Sequence, residues 1–135
     1  MLQRAIYVSD AVGSTGNSAL SFAQILGVSD RNNRRDHLTS ALLFHQGQFL
    51  QVIEGARADV DRLLTRLSAD PRHTGLKVLH NGPVETRRFG AWPMGQCRMT
   101  PDTDRLLDGR TLCALDAAEA EALLIRSAVP MDLSA

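Results

Sequence analysis

Gln51 is an amide in an otherwise apolar stretch, FLQVI, at residues 49–53. Alternate side chains of a strand share a face, so Gln51 is expected to lie among apolar side chains. Burying an amide without hydrogen-bond partners costs about 1–3 kcal/mol, so the fold must supply a donor and an acceptor at this point. The candidates are Tyr7 in the first predicted strand and Asn33 just before the second, because both side chains can exchange hydrogen bonds with an amide.

The composition describes one domain with balanced charge. The chain has 135 residues, of which 44% are hydrophobic and 22% are charged, which is enough for a single compact core. Its 15 lysines and arginines balance 15 aspartates and glutamates, so the whole-chain charge favours neither a nucleic acid nor an anionic membrane as partner. The arginine-rich segment 29–36 has no interleaved aromatic residues and is not read as a nucleic-acid patch.

The sequence has few targeting or redox features. No apolar stretch is long enough to span a bilayer, and the N-terminal residues lack the apolar core and cleavage site of a secretory signal. Cys97 and Cys113 do not make a disulfide framework, and neither has a histidine at metal-ligand spacing. We therefore expect a reduced, cytoplasmic protein without a metal site.

Predicted strands and helices alternate along the chain. The hydrophobic patterns predict five strands, at residues 2–9, 38–45, 48–54, 76–80 and 87–92. Helices are predicted from Asn17 or Ser18 to Val28, and from Val60 to about Asp70. The pair Gln46-Gly47 suits a two-residue turn, which makes the second and third strands an antiparallel hairpin.

The order of these elements predicts an α+β fold. A β-α-β-β-α-β-β arrangement with right-handed crossovers gives a ferredoxin-like sheet with both helices on one face. The segment from about residue 101 onward supplies one or two helices to cover the other face, with Asp116 as the N-cap of an alanine-rich helix at 117–127. We expect a domain over residues 1–95 and a helical extension, residues 96–135, that packs on its sheet.

Five short motifs occur in an order that is typical of one family. They are AIYVS at residues 5–9, Asn32-Asn33 followed by Asp36 and Thr39, FLQVIEG at 49–55, DPRH at 70–73, and Arg88-Phe89 with Trp92 and Met94. Together they resemble BLUF domains, the flavin-binding blue-light sensors, over about residues 1–95. The trailing helices are similar to those of stand-alone members, which lack a fused enzymatic output domain. The resemblance therefore implies an output that is borrowed from a partner protein.

The resemblance implies a photochemical role for Tyr7 and Gln51. In BLUF domains the tyrosine of strand one hydrogen-bonds the glutamine of strand three, which in turn contacts the flavin ring. Blue light moves an electron and a proton from the tyrosine by way of the glutamine, and their return leaves the amide rotated or tautomerised. The absorption spectrum shifts slightly to the red and recovers in the dark. Without the resemblance, a core tyrosine that satisfies a core glutamine would explain the same pair.

The resemblance also implies two groups of further site residues. Those implied to bind the flavin are Ile25, Asn32, Asn33, Phe49, Arg66, Leu67, Asp70 and His73, with Ile25 and Leu67 as apolar walls. Those implied to relay the signal are Trp92 and Met94. Taken singly, each group has an ordinary structural explanation: the asparagine pair is a turn signal, Arg66 and Asp70 are four apart on a helix and suit a surface ion pair, and the apolar residues suit a core.

The cofactor implied by the resemblance is FAD, and FMN or riboflavin could replace it because the ring makes most of the contacts. The arginines of the connection, Arg31, Arg34 and Arg35, could meet the cofactor phosphates or form a solvated basic loop. His37 and Ser40 stand where the family usually has glycine, which affects pocket geometry and kinetics more than binding. We expect a homodimer, as for related short proteins.

Two other classes of function compete with the sensor. A small enzyme would need an acid–base pair or a nucleophile, and Glu54, Asp70 and His73 are the candidates near the expected pocket. No motif joins them into a triad or a metal site, so we expect no enzymatic activity. A non-photoactive interaction or ligand-binding module with the same fold is the stronger alternative, and the intact Tyr7, Asn33 and Gln51 argue against it.

Overall fold

The computed structural model describes residues 2–11, 35, 37–70, 73–89 and 95–129. Its strands are β1 (Leu2–Ala11), β2 (Thr39–His45), β3 (Gln48–Ala56), β4 (His73–Val84), β5 (Gly95–Cys97) and β6 (Ala128–Val129). Its helices are α1 (Arg57–Ser68), α2 (Pro101–Leu107) and α3 (Ala117–Ser127), with a 3₁₀ turn at Leu112–Ala114. The helix that the sequence predicts before Val28 lies outside the described residues.

The six described strands form one sheet in the order β4-β1-β3-β2-β5-β6. The neighbours among β4, β1, β3 and β2 are all antiparallel. This order, with β3 inserted between the parallel strands β1 and β2, is ferredoxin-like and confirms the predicted α+β class. β5 then joins β2 in parallel, and β6 pairs with β5 in the antiparallel sense.

The β2–β3 hairpin fixes the position of Gln51 in the sheet. Gln46 and Gly47 form its turn, with φ angles of 50° and 77°. Positive φ at both positions is the type I′ geometry, whose twist matches that of the flanking strands. The resulting register sets Leu42 opposite Gln51, in the middle of the ladder. The hairpin is therefore the one that the sequence predicts.

The sheet separates two apolar cores. The core under α1 contains Ala5, Tyr7, Leu38, Ile53 and Val60, all buried. The opposite face carries Ile6, Val8, Leu43, Leu50 and Val52, and it packs against Leu107, Leu112, Leu123 and Leu124. Since α2, the 3₁₀ turn and α3 supply this second group, the C-terminal helices cover the face opposite α1, as the alternation of the strands predicts.

Helix α3 has the N-terminus that the sequence predicts. The Oδ1 atom of Asp116 accepts a hydrogen bond from the main-chain N of Glu119 at 2.8 Å, and Oε1 of Glu119 accepts one from the main-chain N of Asp116 at 3.1 Å. This reciprocal pair is a capping box, which satisfies main-chain donors at the start of a helix. Among the described helices, none is long and apolar enough to cross a bilayer.

The predicted closing strands differ from the observed ones. β4 runs from His73 to Val84, well beyond the predicted residues 76–80. Residues 85–89 are not in a strand, so the strand predicted from Arg87 is wrong for residues 87–89, and its remainder, 90–92, lies outside the described residues. The physical reason is a carboxylate: the main-chain N–H groups of Arg88 and Phe89 bond the side chain of Glu54. Those two donors are therefore not available to a strand ladder.

Candidate functional site

Tyr7 and Gln51 form a buried hydrogen-bonded pair. They stand directly opposite each other in the β1–β3 ladder. The Tyr7 hydroxyl donates to Oε1 of Gln51 at 2.5 Å, and the two residues are 3% and 4% exposed. Because Oε1 faces the phenol, the amide nitrogen Nε2 points away from Tyr7. The buried amide thus has the phenol partner that the strand pattern predicts.

His73 closes the site at the start of β4. Its Nε2 lies 2.5 Å from the carbonyl oxygen of Leu67, and its Nδ1 lies 2.7 Å from Oγ of Ser9. A carbonyl oxygen only accepts, so Nε2 carries the hydrogen and donates it. In the neutral ring, Nδ1 then accepts from the Ser9 hydroxyl. The His73 ring is held between β1 and the end of α1, with its centroid 6.1 Å from that of Tyr7.

Two apolar side chains border the pair. Phe49 is 5% exposed and meets the His73 ring edge-on, with centroids 6.4 Å apart. Leu67 is half-buried and packs against the core that contains Tyr7. The structure therefore brings Phe49, Leu67 and His73 together with Tyr7 and Gln51 on the α1 face of the sheet.

Ser9 is a site residue that the sequence reasoning did not select. It is 2% exposed, and its hydroxyl contacts His73. The signal was present, because Ser9 lies two residues after Tyr7 and so shares its face of β1. Its partner depends on the register between β1 and β4, which shifts twice along the ladder. Spacing alone therefore could not have paired Ser9 with His73.

Arg66 and Asp70 lie at the end of α1. The helix ends at Ser68, so Asp70 follows the helix and is not part of it, contrary to the sequence prediction. Arg66 lines a cavity of about 360 Å³ together with Arg35, Arg62 and Thr65. Arg35 is one of the arginines considered for the cofactor phosphates, and Arg62 is a basic neighbour that the sequence reasoning did not select.

Several of the site predictions fall outside the described residues. They are Ile25, Asn32 and Asn33, the arginines Arg31 and Arg34, and the relay residues Trp92 and Met94.

Glu54 lies apart from the two other residues considered for an enzyme. Its carboxylate bonds Arg4 and the main chain of residues 88 and 89, on the face that the C-terminal helices cover. Asp70 and His73 lie at the α1 side, so the prediction that Glu54 belongs near the same pocket is wrong. Within the described ranges, no group of three or more His, Cys, Asp or Glu side chains could hold a metal ion.

The arrangement suits hydrogen-bond switching beside a flat ligand. A phenol and an amide in contact in a low-dielectric interior can pass a proton between them and re-form their bond in another direction. Apolar side chains such as Phe49 and Leu67 suit the faces of an aromatic ring, while Gln51 and His73 offer polar groups for a ring edge.

Comparison with known proteins identifies the family. The family model described as "Sensors of blue-light using FAD", abbreviated BLUF, matches residues 2–95. The chain belongs to the BLUF family. The Tyr7–Gln51 pair, His73 and the strands β1, β3 and β4 that carry them all lie within the matched region.

Other BLUF proteins are similar in sequence or in structure. The photoactivated adenylate cyclase subunit beta of Euglena gracilis is 35% identical over 98 residues, which cover 73% of this chain and 11% of that protein. The dark-state structure of the BLUF protein BlrB is 30% identical, with a TM-score of 0.72, and the match covers 93% of this chain and 96% of BlrB. The photo-activated state of BlsA has a TM-score of 0.88 at 19% identity, covering 98% of this chain and 100% of that one, and shows the shared fold.

Proposed function

We propose that this chain is a blue-light photoreceptor that binds a flavin and switches through the hydrogen bond between Tyr7 and Gln51. The observation that carries the proposal is the buried contact of 2.5 Å between the Tyr7 hydroxyl and Oε1 of Gln51, in a chain of the BLUF family. The residues around this contact fit a flavin, because Phe49 and Leu67 offer apolar surface and His73 offers a polar group beside it.

The proposed flavin contacts come from two sources. Tyr7, Phe49, Gln51, Leu67 and His73 are neighbours in the structure. Arg66 and Asp70 lie at the end of α1, near the same side of the sheet. The resemblance to the family supplies the rest of the proposed set, which is Ile25, Asn32 and Asn33.

The proposed mechanism starts at the Tyr7–Gln51 bond. When bound, the flavin would supply the absorption of blue light and the acceptor for an electron from Tyr7. Tyr7 is placed to give its hydroxyl proton to Oε1 of Gln51, the atom that already accepts its hydrogen bond. Return of both the electron and the proton to Tyr7 leaves the Gln51 amide rotated or tautomerised, with a donor directed to a different partner. The result is a switch of hydrogen bonding without turnover, so we propose that the chain is not itself an enzyme.

We propose that the signal passes to a partner protein. The match to a photoactivated cyclase covers 11% of that protein, which supports a sensing module that regulates chemistry carried out elsewhere. Trp92 and Met94 are the proposed relay, between a flavin-binding domain over residues 1–95 and a helical extension over 96–135. The proposed flavin is FAD, with FMN or riboflavin able to replace it, in a cytoplasmic homodimer.

The decisive experiment is the absorption spectrum of the purified protein in the dark and after a blue-light pulse. We expect a flavin spectrum that moves to the red and returns in the dark. Gln51→Leu and Tyr7→Phe should bind flavin and lose the shift, because each removes one partner of the switching bond. Gln48→Leu is the matched control: Gln48 lies in the same strand, bonds Asp10 near the surface, and should leave the shift intact.

Three results would contradict the proposal. Bound flavin with no reversible shift would mean a flavoprotein that does not switch. A protein that stays colourless after flavin is added would indicate an interaction module with a BLUF fold. A shift that survives both Gln51→Leu and Tyr7→Phe would show that light switches the protein by another route.

A further inference from the structure

Glu54 is a fully buried carboxylate that the switching mechanism does not use. Its side chain is 0% exposed. Its two oxygens accept hydrogen bonds from the main-chain N of Arg88 at 3.0 and 2.9 Å and from the main-chain N of Phe89 at 2.7 Å. Nε of Arg4 completes the set at 2.9 Å. A buried carboxylate is stable only when it is paired in this way, so these contacts hold β3 to the segment that follows β4.

A second set of bonds fastens the same segment, residues 85–89. The Arg87 guanidinium spans the end of β3 and the start of β2. It donates to Oγ1 of Thr39 at 2.9 Å, to the carbonyl oxygen of Glu54 at 3.0 Å and to the carbonyl oxygen of His37 at 2.9 Å. Phe89, at 3% exposure, packs in the core beneath the C-terminal helices. These contacts therefore tie the position of the segment 85–89 to that of β3.

Two ion pairs continue from Glu54 to helix α3. Arg4, which binds Glu54, also places Nη1 at 3.5 Å from Oε1 of Glu121. Nη1 of Arg88 reaches the same oxygen at 2.9 Å. Glu121 lies in the second turn of α3, and its side chain is 24% exposed. Along the path of contacts from Glu54 to Arg4, Glu121 and Arg88, the charges therefore alternate in sign between the sheet and α3.

The strand register places Arg4 and Glu54 on the sheet face opposite the proposed Tyr7–Gln51 switch. In the β1–β3 ladder Tyr7 stands opposite Gln51, and Arg4 stands opposite Glu54. The two pairs are three residues apart on both strands, so they lie on opposite faces of the sheet. The β3 backbone is the shared element. A displacement of β3 that accompanies a change at Gln51 moves the Glu54 carboxylate on the face that carries α3.

We propose that Glu54 is a positioning residue that couples the Gln51 switch to helix α3 through Arg88, Arg4 and Glu121. This inference rests on the proposed light-driven switch. In the light, Glu54 shifts relative to the N–H groups of the segment 85–89. The ion pairs that Arg4 and Arg88 form with Glu121 are then weakened, and α3 becomes less stable. The C-terminal helices then receive a signal from β3 in addition to the one proposed to pass through Trp92 and Met94.

The test is hydrogen–deuterium exchange of the full flavin-loaded chain, in the dark and under continuous blue light. In the unsubstituted protein we expect amides of α3 to exchange faster in the light, on the order of fivefold or more for a coupling of ordinary size. Arg88→Gln removes the bridge to Glu121 but keeps the main-chain bond to Glu54, and its side chain is 58% exposed. It should retain the red shift and lose most of the light-induced difference in α3.

Arg126→Gln is the matched control. Arg126 lies on α3, its side chain is 56% exposed, and it pairs with Asp102 at 3.5 Å, away from Glu54. This variant should keep both the red shift and the light-induced difference in exchange.

Glu54→Gln is a second test variant. It replaces one carboxylate oxygen, an acceptor, by an amide NH₂ group, a donor, next to the main-chain N–H groups of Arg88 and Phe89. It should therefore behave like Arg88→Gln. If Glu54→Gln does not fold, Arg88→Gln decides the question alone.

The remaining outcomes are distinct. A red shift with no change of exchange in α3 of the unsubstituted protein would overturn the coupling while leaving the photoreceptor intact. So would an Arg88→Gln variant whose light-induced difference equals that of Arg126→Gln. An unsubstituted protein that binds flavin without any red shift would overturn the switch itself, and the coupling with it.

Discussion

The Tyr7 hydroxyl donates its hydrogen bond to Oε1 of Gln51 and does not accept one from the amide nitrogen. A half-turn of the amide would bring Nε2 to the phenol, and the phenol would then have to accept. A tautomerised amide would likewise present a changed donor pattern at the same distance. The direction of this one bond therefore distinguishes the structure described here from the proposed light-induced state.

The Tyr7–Gln51 bond should appear as a coupling energy in protein stability. Tyr7→Phe and Gln51→Leu each remove one partner, and a buried polar group that loses its partner costs about 1–3 kcal/mol. The double variant loses both polar groups, so its destabilisation should be smaller than the sum of the single effects, by about 0.5–3 kcal/mol. Urea unfolding of the four proteins in the dark measures this difference.

The control cycle combines Tyr7→Phe with Gln48→Leu. Gln48 bonds Asp10 and the main chain of Cys113, not Tyr7, so its effect should add to that of Tyr7→Phe. Simple additivity in both cycles would contradict the buried bond.

Glu54 should be among the most sensitive charged residues for stability. Glu54→Ala leaves Arg4 without its buried partner and the N–H groups of Arg88 and Phe89 without their acceptor. Removing one partner of a buried ion pair costs about 3–5 kcal/mol. Denaturant unfolding monitored by circular dichroism gives the loss. Glu85→Ala, at an exposed position in the adjoining segment, is the control and should change stability by less than about 0.5 kcal/mol.

Gly55 has no room for a side chain. A Cβ atom there would lie 2.5 Å from Cδ2 of Leu38 and 3.4 Å from the carbonyl oxygen of His37. Leu38 is 1% exposed, so its side chain can move only by repacking the core beneath α1. Gly55→Ala should therefore destabilise the fold by about 1–3 kcal/mol, measured by thermal and urea unfolding.

Gly82→Ala is the matched comparison for Gly55→Ala. Its Cβ would meet the His80 ring at 3.5 Å, an ordinary contact distance. It should fold with a stability close to that of the unsubstituted protein. Equal effects of the two alanines would show that the space around Gly55 is not limiting.

The two cysteines should differ in reactivity. Burial raises the pKa of the Cys97 thiol to about 11, whereas a hydrogen bond with Thr111, followed by one with Gln48, lowers the pKa of the exposed Cys113. The thiolate is the reactive form. Iodoacetamide at about pH 8 should therefore label Cys113 in the folded protein and reach Cys97 only after unfolding, as read by peptide mass spectrometry. Cys113→Ser should take up no label while folded, and rapid labelling of Cys97 in that variant would contradict its burial.

Glu119 should contribute to the loss of folding stability as the pH falls into the acid range. Its pKa lies below its ordinary value, first because Arg110 donates a hydrogen bond to it and then because it bonds the main chain of Asp116. A carboxyl whose pKa is lower in the folded state stabilises the fold above its unfolded pKa, and this contribution is lost as the pH falls through the folded value. Glu119→Gln should therefore flatten the fall of Tm between about pH 5 and pH 3. A Tm profile parallel to that of the unsubstituted protein would contradict this role.

Local patterns predict those parts of the fold that local interactions determine. The alternation at residues 49–53 gives the two faces of β3, so the pairing of Tyr7 with Gln51 follows from strand parity once the two strands are neighbours. Gln46 and Gly47 specify their turn, and Asp116 specifies the start of α3, because a turn type and a cap each depend on a few adjacent residues.

Interactions between distant residues account for the differences. The strand predicted at Arg87 fails because Glu54, more than thirty residues earlier, takes the N–H groups of residues 88 and 89. The bond between Ser9 and His73 joins residues 64 positions apart and depends on register shifts in the β1–β4 ladder. Neither contact leaves a pattern in the sequence around it.

The spacing between Gln51 and Glu54 also limits how this strand can change length. One inserted or deleted residue between them would reverse the parity of every position beyond it, because side chains alternate with a period of two. The amide and the carboxylate would then emerge on the same side of β3, and Glu54 would lose Arg4 and the segment after β4 at a single step. Replacements in this stretch are graded in their effect, whereas a change of length by one residue is all-or-none. A deletion series through residues 52 and 53, with paired deletions that restore the parity, would display that difference directly.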